Sequence, residues 1–89
     1  DLGLCLTLVS AATDTPLAEN LVACGEVGLA GELRQASNTA RRLAEAARLG
    51  FTRAIIPASS AVDINISGIK LEPAHTVAQA LALAGLSIN

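Results

Sequence analysis

Aromatic residues and lysines are nearly absent from this chain of 89 residues. There is no tryptophan or tyrosine, and Phe51 and Lys70 are the single phenylalanine and the single lysine. One aromatic ring gives nucleic-acid bases almost nothing to stack on, which argues against single-strand recognition by stacking. The core must instead be built from leucine, isoleucine, valine and alanine, a composition that favours close packing of helices on a sheet.

Other absences narrow the class of protein. Two cysteines and one histidine are too few for a disulfide framework or a zinc site. No apolar run reaches the ~18 residues that a membrane span needs, and the apolar N-terminal segment lacks the basic residues of a signal peptide. We therefore expect a cytoplasmic protein with two buried thiols, Cys5 and Cys24, and with no metal and no membrane segment here.

Methionine is also absent, so the chain lacks an initiator residue. We expect residues 1–89 to be a single fragment of a longer protein. A chain of this length has room for one hydrophobic core and not for two. Because 52% of the residues are hydrophobic, we also expect part of the apolar surface to be covered by other segments or subunits.

Positive charge is concentrated in the middle of the chain. The net charge is −2, yet residues 34–53 contain five arginines and only one acid, Glu45. Planar guanidinium groups bind phosphate oxygens in pairs, so this segment is a candidate DNA-backbone contact. The candidate residues are Arg34, Arg41, Arg42 and Arg48, and the sequence leaves open whether Arg53 joins them. The alternative is a solvated helix face on which Glu45 pairs with Arg41 and Arg48, or a set of ion pairs across a subunit boundary.

The hydrophobic pattern predicts the order helix, hairpin, helix, strand, loop, strand, helix. The first helix is predicted over 2–12. The second runs from a cap at Ser37, Asn38 or Thr39 to Leu49, and the third runs from Pro73 or His75 to Ala84. The strands are predicted over 21–24, 53–56 and 68–71, with hairpin arms at 26–29 and 32–35. Strands that alternate with helices indicate an α/β fold, with a mixed sheet and helices packed on it.

Two helix faces follow from the same pattern. The first helix is apolar nearly all round, which predicts burial on every side. In the second helix, Ala40, Leu43, Ala44 and Ala47 are spaced to face the sheet.

Three glycines, Gly25, Gly28 and Gly31, lie in and beside the predicted hairpin. They indicate positive φ, a tight turn or close approach by another segment. At Gly28 and Gly31 we expect positive φ, which a valine would tolerate poorly. A returning strand follows these glycines instead of a helix N-terminus, so they are not a phosphate-binding loop.

Several motifs resemble the second half of the Lon-protease-like domain, which has the ribosomal protein S5 domain 2-like fold. Within that group they resemble the version at the C-terminus of the bacterial RadA (Sms) family of DNA-repair ATPases. The motifs are LVS at 8–10, PL at 16–17, GEVGLAGELR at 25–34, RRLAEA at 41–46, GF at 50–51 and AIIP at 54–57. The resemblance covers nearly the whole chain.

This resemblance implies a function. The segment would be a non-proteolytic scaffold that assembles into a ring, a hexamer, and contacts DNA. Its parent would be an ATPase that drives branch migration in recombinational repair. ATP with Mg²⁺, and zinc, would be bound upstream of Asp1, and this segment would hold no cofactor.

The resemblance also bears on proteolysis. A Lon-type protease uses a serine nucleophile and a lysine general base with a lowered pKa. The serine position falls just before Asp1, and the lysine position falls on Ala40. Alanine cannot accept a proton and Arg41 beside it stays charged, so we expect no catalytic residue in this segment. The alternatives are an active Lon-type peptidase domain and a purely structural oligomerisation domain.

Overall fold

The computed structural model describes residues 1–61, 64 and 66–86. The helices are α1 (Leu2–Thr13), α2 (Thr39–Arg48) and α3 (Val77–Leu83), and the strands are β1 (Leu21–Ala23), β2 (Glu26–Val27), β3 (Leu33–Arg34), β4 (Arg53–Pro57) and β5 (Lys70–Ala74). A short 3₁₀ turn, Ala58–Ser60, follows β4. The predicted order of elements and the α/β class are confirmed. No helix in the described ranges is long and apolar enough to cross a membrane.

The main sheet is parallel and has β4 at its centre. The strand order is β1-β4-β5, with Val22 opposite Ala54 and Ala54 opposite Leu71. β2 and β3 form a separate antiparallel pair. Parallel pairing is therefore as predicted, but the predicted single mixed sheet is wrong, because the antiparallel strands form their own ribbon and β2 does not continue β1.

Helices cover both faces of this sheet. Side chains alternate along β4, so Ile55 joins the cluster beneath α1 and α3, while Ala54 and Ile56 join the cluster beneath α2. All three residues are fully buried. A central strand buried on both faces explains the continuous apolar run Ala54-Ile55-Ile56.

α1 is buried on one side only, so the predicted burial on every side was wrong. Leu2 and Leu6 lie in the core, whereas Leu8 is 61% exposed. Because the helix is apolar nearly all round, its sequence does not indicate which side is buried. The helix ends at Thr13, one residue later than predicted, and Asp14 after it has a φ of 52°. Cys24 is buried, but Cys5 in α1 is only half-buried.

The buried face of α2 differs from the predicted one. Thr39, Leu43 and Ala46 are buried, whereas Ala40 and Ala44 are exposed. Alanines occur on both faces of this helix, so their spacing fits two orientations. Leu43 is the one large apolar side chain in the helix and fixes its face.

The last strand and helix begin later than predicted. Pro73 lies inside β5, opposite Ile56, where an edge strand tolerates its missing N–H. α3 begins at Val77, because the Thr76 hydroxyl caps it by accepting a 3.2 Å hydrogen bond from the Gln79 N–H. His75 precedes the cap and does not open the helix.

The hairpin turn explains two of the three glycines. Gly31 has a φ of 82° and its N–H donates to the Gly28 carbonyl at 3.0 Å. This geometry is typical of a short hairpin loop that ends in a left-handed residue. Gly28 does not have a positive φ, contrary to our expectation. A Cβ at Gly28 would instead coincide with the Glu32 carboxylate, so close approach explains this glycine.

Gly25 has both a positive φ and a close neighbour, the two reasons found separately at Gly31 and Gly28. Its φ is 152°, and an added Cβ would lie 2.9 Å from Cγ of Pro57 at the end of β4. The hairpin is also tied to the start of α3, where the Val77 N–H donates to the Gly31 carbonyl at 2.9 Å. The hairpin therefore has a fixed position relative to the main sheet.

Candidate nucleic-acid interface

The outer face of α2 carries three of the five arginines. With Leu43 in the core, Arg41, Arg42 and Arg48 are exposed to solvent. Arg34 is also exposed, on β3 of the hairpin, and Arg53 lies at the start of β4. The fold therefore places Arg41, Arg42 and Arg48 on one helix, with Arg34 and Arg53 on other elements.

Arg53 has a structural role. Its Nε donates to Glu72 Oε2 at 2.6 Å, and its Nη2 donates to Glu72 Oε1 and to the Leu83 carbonyl at 3.0 Å each. The hydrogen bonds from Arg53 lower the pKa of Glu72, against an opposing effect of burial. Arg53 therefore joins β4, β5 and the end of α3, which answers the question that the sequence left open.

Arg34 and Arg48 each have an acidic partner. Arg48 donates to Glu45 Oε2 at 2.6 Å, one turn away on the same helix. Arg34 Nη2 lies 3.6 Å from Glu32 Oε2. Both pairs are exposed and contribute little to stability, but each acid neutralises part of the local positive charge. A phosphate would have to compete with a carboxylate at both positions.

Arg41 and Arg42 have no acidic partner in the described part of the chain. Of the two pairs predicted for Glu45, only the one with Arg48 forms. Arg41 and Arg42 line one open cavity of about 480 Å³, together with Asn38 and Glu45. These two guanidinium groups are free to bind phosphate oxygens in pairs.

Arg42 also acts on a buried thiol. Burial raises the pKa of Cys24, and the positive charge of Arg42 opposes that rise. Cys24 follows β1 and packs with Leu43 in the cluster beneath α2. The charge of Arg42 therefore reaches the inner side of α2 as well as its solvent side.

Sequence reasoning missed Ser60 and a second cavity. Ser60 is 4% exposed, and its hydroxyl has no hydrogen-bond partner among the described residues. The cavity has a volume of about 240 Å³ and lies beside the start of α2. It is lined by Gln35, Ala36, Thr39, Ala40, Ser60 and Ile64. The sequence places Ser59-Ser60 in the connection after a predicted strand, and only that position could have indicated enclosure.

The residue at the protease lysine position, the single lysine and the single histidine lie at different places in the fold. Ala40 is exposed in the first turn of α2, Lys70 is exposed at the start of β5, and His75 is exposed before α3. Over the described ranges there is no group of three or more His, Cys, Asp or Glu side chains that could hold a metal ion.

Proteins with similar sequences are bacterial DNA repair proteins. The chain is 41% identical over 83 residues to the Escherichia coli (strain K12) protein, which is 93% of this chain and 18% of that protein. It is 39% identical over 84 residues to a Synechocystis protein (94% of this chain, 16% of that protein). It is 51% identical over 59 residues to a Mycobacterium tuberculosis (strain H37Rv) protein (66% and 12%).

Each of these relatives is the DNA repair protein RadA. The chain is therefore a homologue of part of bacterial RadA, which confirms the resemblance to the RadA family. It spans less than a fifth of the length of these relatives. No protein-family model matches the chain.

Proposed function

We propose that this chain is part of a non-proteolytic, DNA-contacting scaffold in a RadA-like ATPase that acts in recombinational DNA repair. The observation that carries the proposal is the pair Arg41 and Arg42, two exposed arginines without an acidic partner in the described ranges. An exposed arginine without an acidic partner can donate paired hydrogen bonds to the phosphates of a DNA backbone. Relatives that are DNA repair proteins support a DNA ligand over an acidic protein.

The scaffold would have the Lon-protease-like fold. A parallel sheet with a hairpin between its first two strands and helices on both faces is compatible with the second half of that fold. Proteolysis is not part of the proposal, because Ala40 falls at the lysine position and cannot act as a general base. An active peptidase would require a base from elsewhere, and a casein-digestion assay on the full-length protein tests that directly.

The remaining activities belong to the parent protein. We propose that it forms a six-membered ring in the cytoplasm, binds ATP with Mg²⁺ and zinc in other segments, and drives branch migration. The scaffold would hold the DNA backbone against the ring while the ATPase segments move it. Contacts of this kind depend strongly on salt and weakly on base sequence.

DNA binding by the full-length protein tests the proposal. Fluorescence anisotropy would compare Arg41→Ala/Arg42→Ala with Arg34→Ala/Arg48→Ala. This control also removes two positive charges, but from arginines that have an acidic partner. We expect the first variant to lose most of the affinity, and the control to lose less because its arginines are already paired. Equal affinity of the wild type and the Arg41→Ala/Arg42→Ala variant would refute the proposed contact. Sedimentation of each variant must first show unchanged assembly.

A purely structural oligomerisation role is the second candidate. It is favoured by Leu29, which is fully exposed at the hairpin tip, and by the partly exposed Val27 behind it. Exposed apolar side chains grouped at one tip are typical of contact surfaces. On this account Leu29→Ser would weaken assembly, and the arginine variants would leave DNA binding unchanged.

A further inference from the structure

We infer that the outer edge of β1 is paired by an extended strand, which comes from the segment of the full-length protein directly before Asp1. This inference goes beyond the proposed DNA contact. It rests on the proposed function only in placing the chain within a longer RadA-like protein. It assigns a surface that the DNA proposal does not use.

The two outer strands of the main sheet differ in composition. β5 contains Lys70, Glu72 and Pro73, and charged residues and proline are what protect an exposed strand edge from further pairing. β1 is the apolar run Leu21–Ala23 and contains no such residue. A short, entirely apolar strand is typical of a sheet interior. The composition of β1 therefore indicates that it has a neighbour on both sides in the full-length protein.

The backbone of β1 has groups to pair on its outer side. The Arg53 N–H donates to the Asn20 carbonyl at 3.1 Å, and the Cys24 N–H donates to the Ile55 carbonyl at 3.0 Å. Asn20 and Cys24 therefore direct these backbone groups toward β4. Because the direction alternates along a strand, the N–H and carbonyl of Ala23 point away from β4. Over the described residues β1 pairs with β4 alone, so the outward side of Ala23 is open to another strand.

An apolar groove lies beside this edge, and we call it the β1 groove. It has a volume of about 430 Å³ and is lined by the first half of α1, by Leu17, by all three residues of β1 and by Phe51. Its walls belong to both core clusters, because Leu17 packs on the cluster beneath α1 and Phe51 on the cluster beneath α2. A strand in the β1 groove would place alternate side chains against the two clusters.

The start of α1 indicates which segment occupies the β1 groove. Asp1 itself lines the groove. The Leu2 N–H donates to the Gly25 carbonyl at 3.0 Å, just beyond the end of β1. A Cβ built on Gly3 would lie 3.6 Å from the Ala23 carbonyl oxygen. A residue bonded to Asp1 therefore starts in the groove at the Ala23 end, and a segment that follows the edge from there runs in the same direction as β1.

The relatives have enough chain to supply this strand. The 83 aligned residues are 18% of the Escherichia coli protein, so most of that protein lies outside the aligned part. A segment tethered at Asp1 also meets the edge at a higher effective concentration than a second copy of the protein does. Both points favour the same polypeptide over self-association as the source of the strand.

Photo-crosslinking in the full-length protein tests the occupant. Thr7 and Leu8 are both exposed neighbours on α1, but only Thr7 lines the β1 groove. p-Benzoylphenylalanine would replace each in turn, with Leu8 as the matched control at nearly the same distance along the chain from Asp1. We expect the Thr7 position to crosslink to the segment before Asp1, and the Leu8 position to lose that crosslink.

Mixed isotope labelling shows which chain supplies the crosslinked peptide. Light and heavy protein would be combined before assembly, and the crosslinked peptides identified by mass spectrometry. We expect light–light and heavy–heavy pairs only. Light–heavy pairs, a crosslink to a different segment, or the absence of a crosslink from the Thr7 position would overturn the assigned occupant.

Hydrogen exchange tests the pairing without any substitution. In the full-length protein we expect the Ala23 amide to exchange at least about a hundredfold more slowly than an unstructured amide. The Cys24 amide, which donates to β4, is the internal reference for a paired strand. Exchange of Ala23 at the unstructured rate, with Cys24 still protected, would overturn the pairing. Neither experiment involves DNA, so this inference and the proposed DNA contact can fail separately.

Discussion

Arg53 and Glu72 form a two-bond ion pair between adjacent parallel strands, with Arg53 Nε 2.6 Å from Glu72 Oε2. The Glu72 side chain is 12% exposed and the Arg53 side chain 31%, so water screens the pair only partly. The same guanidinium donates to the Leu83 carbonyl at the end of α3. One arginine of the basic segment therefore stabilises the fold, and the other four remain on the surface.

Replacement of Glu72 by glutamine should change how stability depends on pH. The Arg53 hydrogen bonds lower the pKa of Glu72 in the folded state. The pair therefore stabilises the protein above the ordinary glutamate pKa of about 4.3, and this contribution is lost as the pH falls through the lowered value. We expect Glu72→Gln to have a lower melting temperature at neutral pH, and the difference from wild type to shrink in acid. Thermal unfolding between pH 7 and pH 3 measures it, with Glu19→Gln on the exposed surface as the control. A constant difference across that range would contradict the assignment.

The left-handed backbone at Gly31 should exclude β-branched residues. No atom lies within 4 Å of a Cβ built there, so the penalty comes from φ alone. We expect Gly31→Val to lower the free energy of unfolding by about 1–2 kcal/mol, and Gly31→Asn to lower it less, because asparagine tolerates this conformation. Urea denaturation measures both. Equal losses for valine and asparagine would show that φ is not the reason for this glycine.

Gly28 and Glu32 should be coupled. The Glu32 carboxylate occupies the place of a Gly28 Cβ and accepts a hydrogen bond from the Ala30 N–H at 3.1 Å. This hydrogen bond lowers the pKa of Glu32. Gly28→Ala would displace the carboxylate, so its effect on stability should be smaller when Glu32 is already alanine. A double-mutant cycle of Gly28→Ala and Glu32→Ala measures the coupling. Strict additivity would contradict the contact.

The two thiols should differ in reactivity. Cys24 is buried with a raised pKa, whereas Cys5 is half-buried. We expect iodoacetamide to modify Cys5 first in the folded protein and both cysteines at similar rates in concentrated urea, since the thiolate is the nucleophile. Because the charge of Arg42 opposes the raised pKa, Arg42→Ala should slow the reaction of Cys24 further, and Arg48→Ala should not. Faster reaction of Cys24 in the Arg42→Ala variant would contradict this electrostatic effect.

The order of elements could be predicted because its signals are local. Gly50 follows α2 as a helix-ending glycine, and the run Ala54-Ile55-Ile56 identified the central strand. Helix orientation could not be predicted in the same way. α2 contains alanines on both faces and a single large apolar residue, Leu43, so its spacing fitted two orientations. Pro73 looked like a helix start, because the sequence does not show that β5 is an edge strand.

The candidate site was predictable in composition and not in arrangement. The sequence showed the concentration of arginines, but the partner of Arg53 lies on a chain segment that only the fold brings next to it. Glu72, which pairs with Arg53, lies 19 positions along the chain. Ser60 has no signal in the sequence, because the 3₁₀ turn packs against β5, which lies further along the chain.

The salt dependence of DNA binding tests the central claim most directly. Each phosphate contact contributes about 0.9 to the slope of log K against log salt concentration for duplex DNA. We therefore expect the slope for full-length Arg41→Ala/Arg42→Ala to be shallower than that of wild type by roughly 1.8 when two contacts are lost. The Arg34→Ala/Arg48→Ala control should change it less. An unchanged slope in the Arg41→Ala/Arg42→Ala protein, with unchanged assembly, would contradict the claim that DNA crosses this helix.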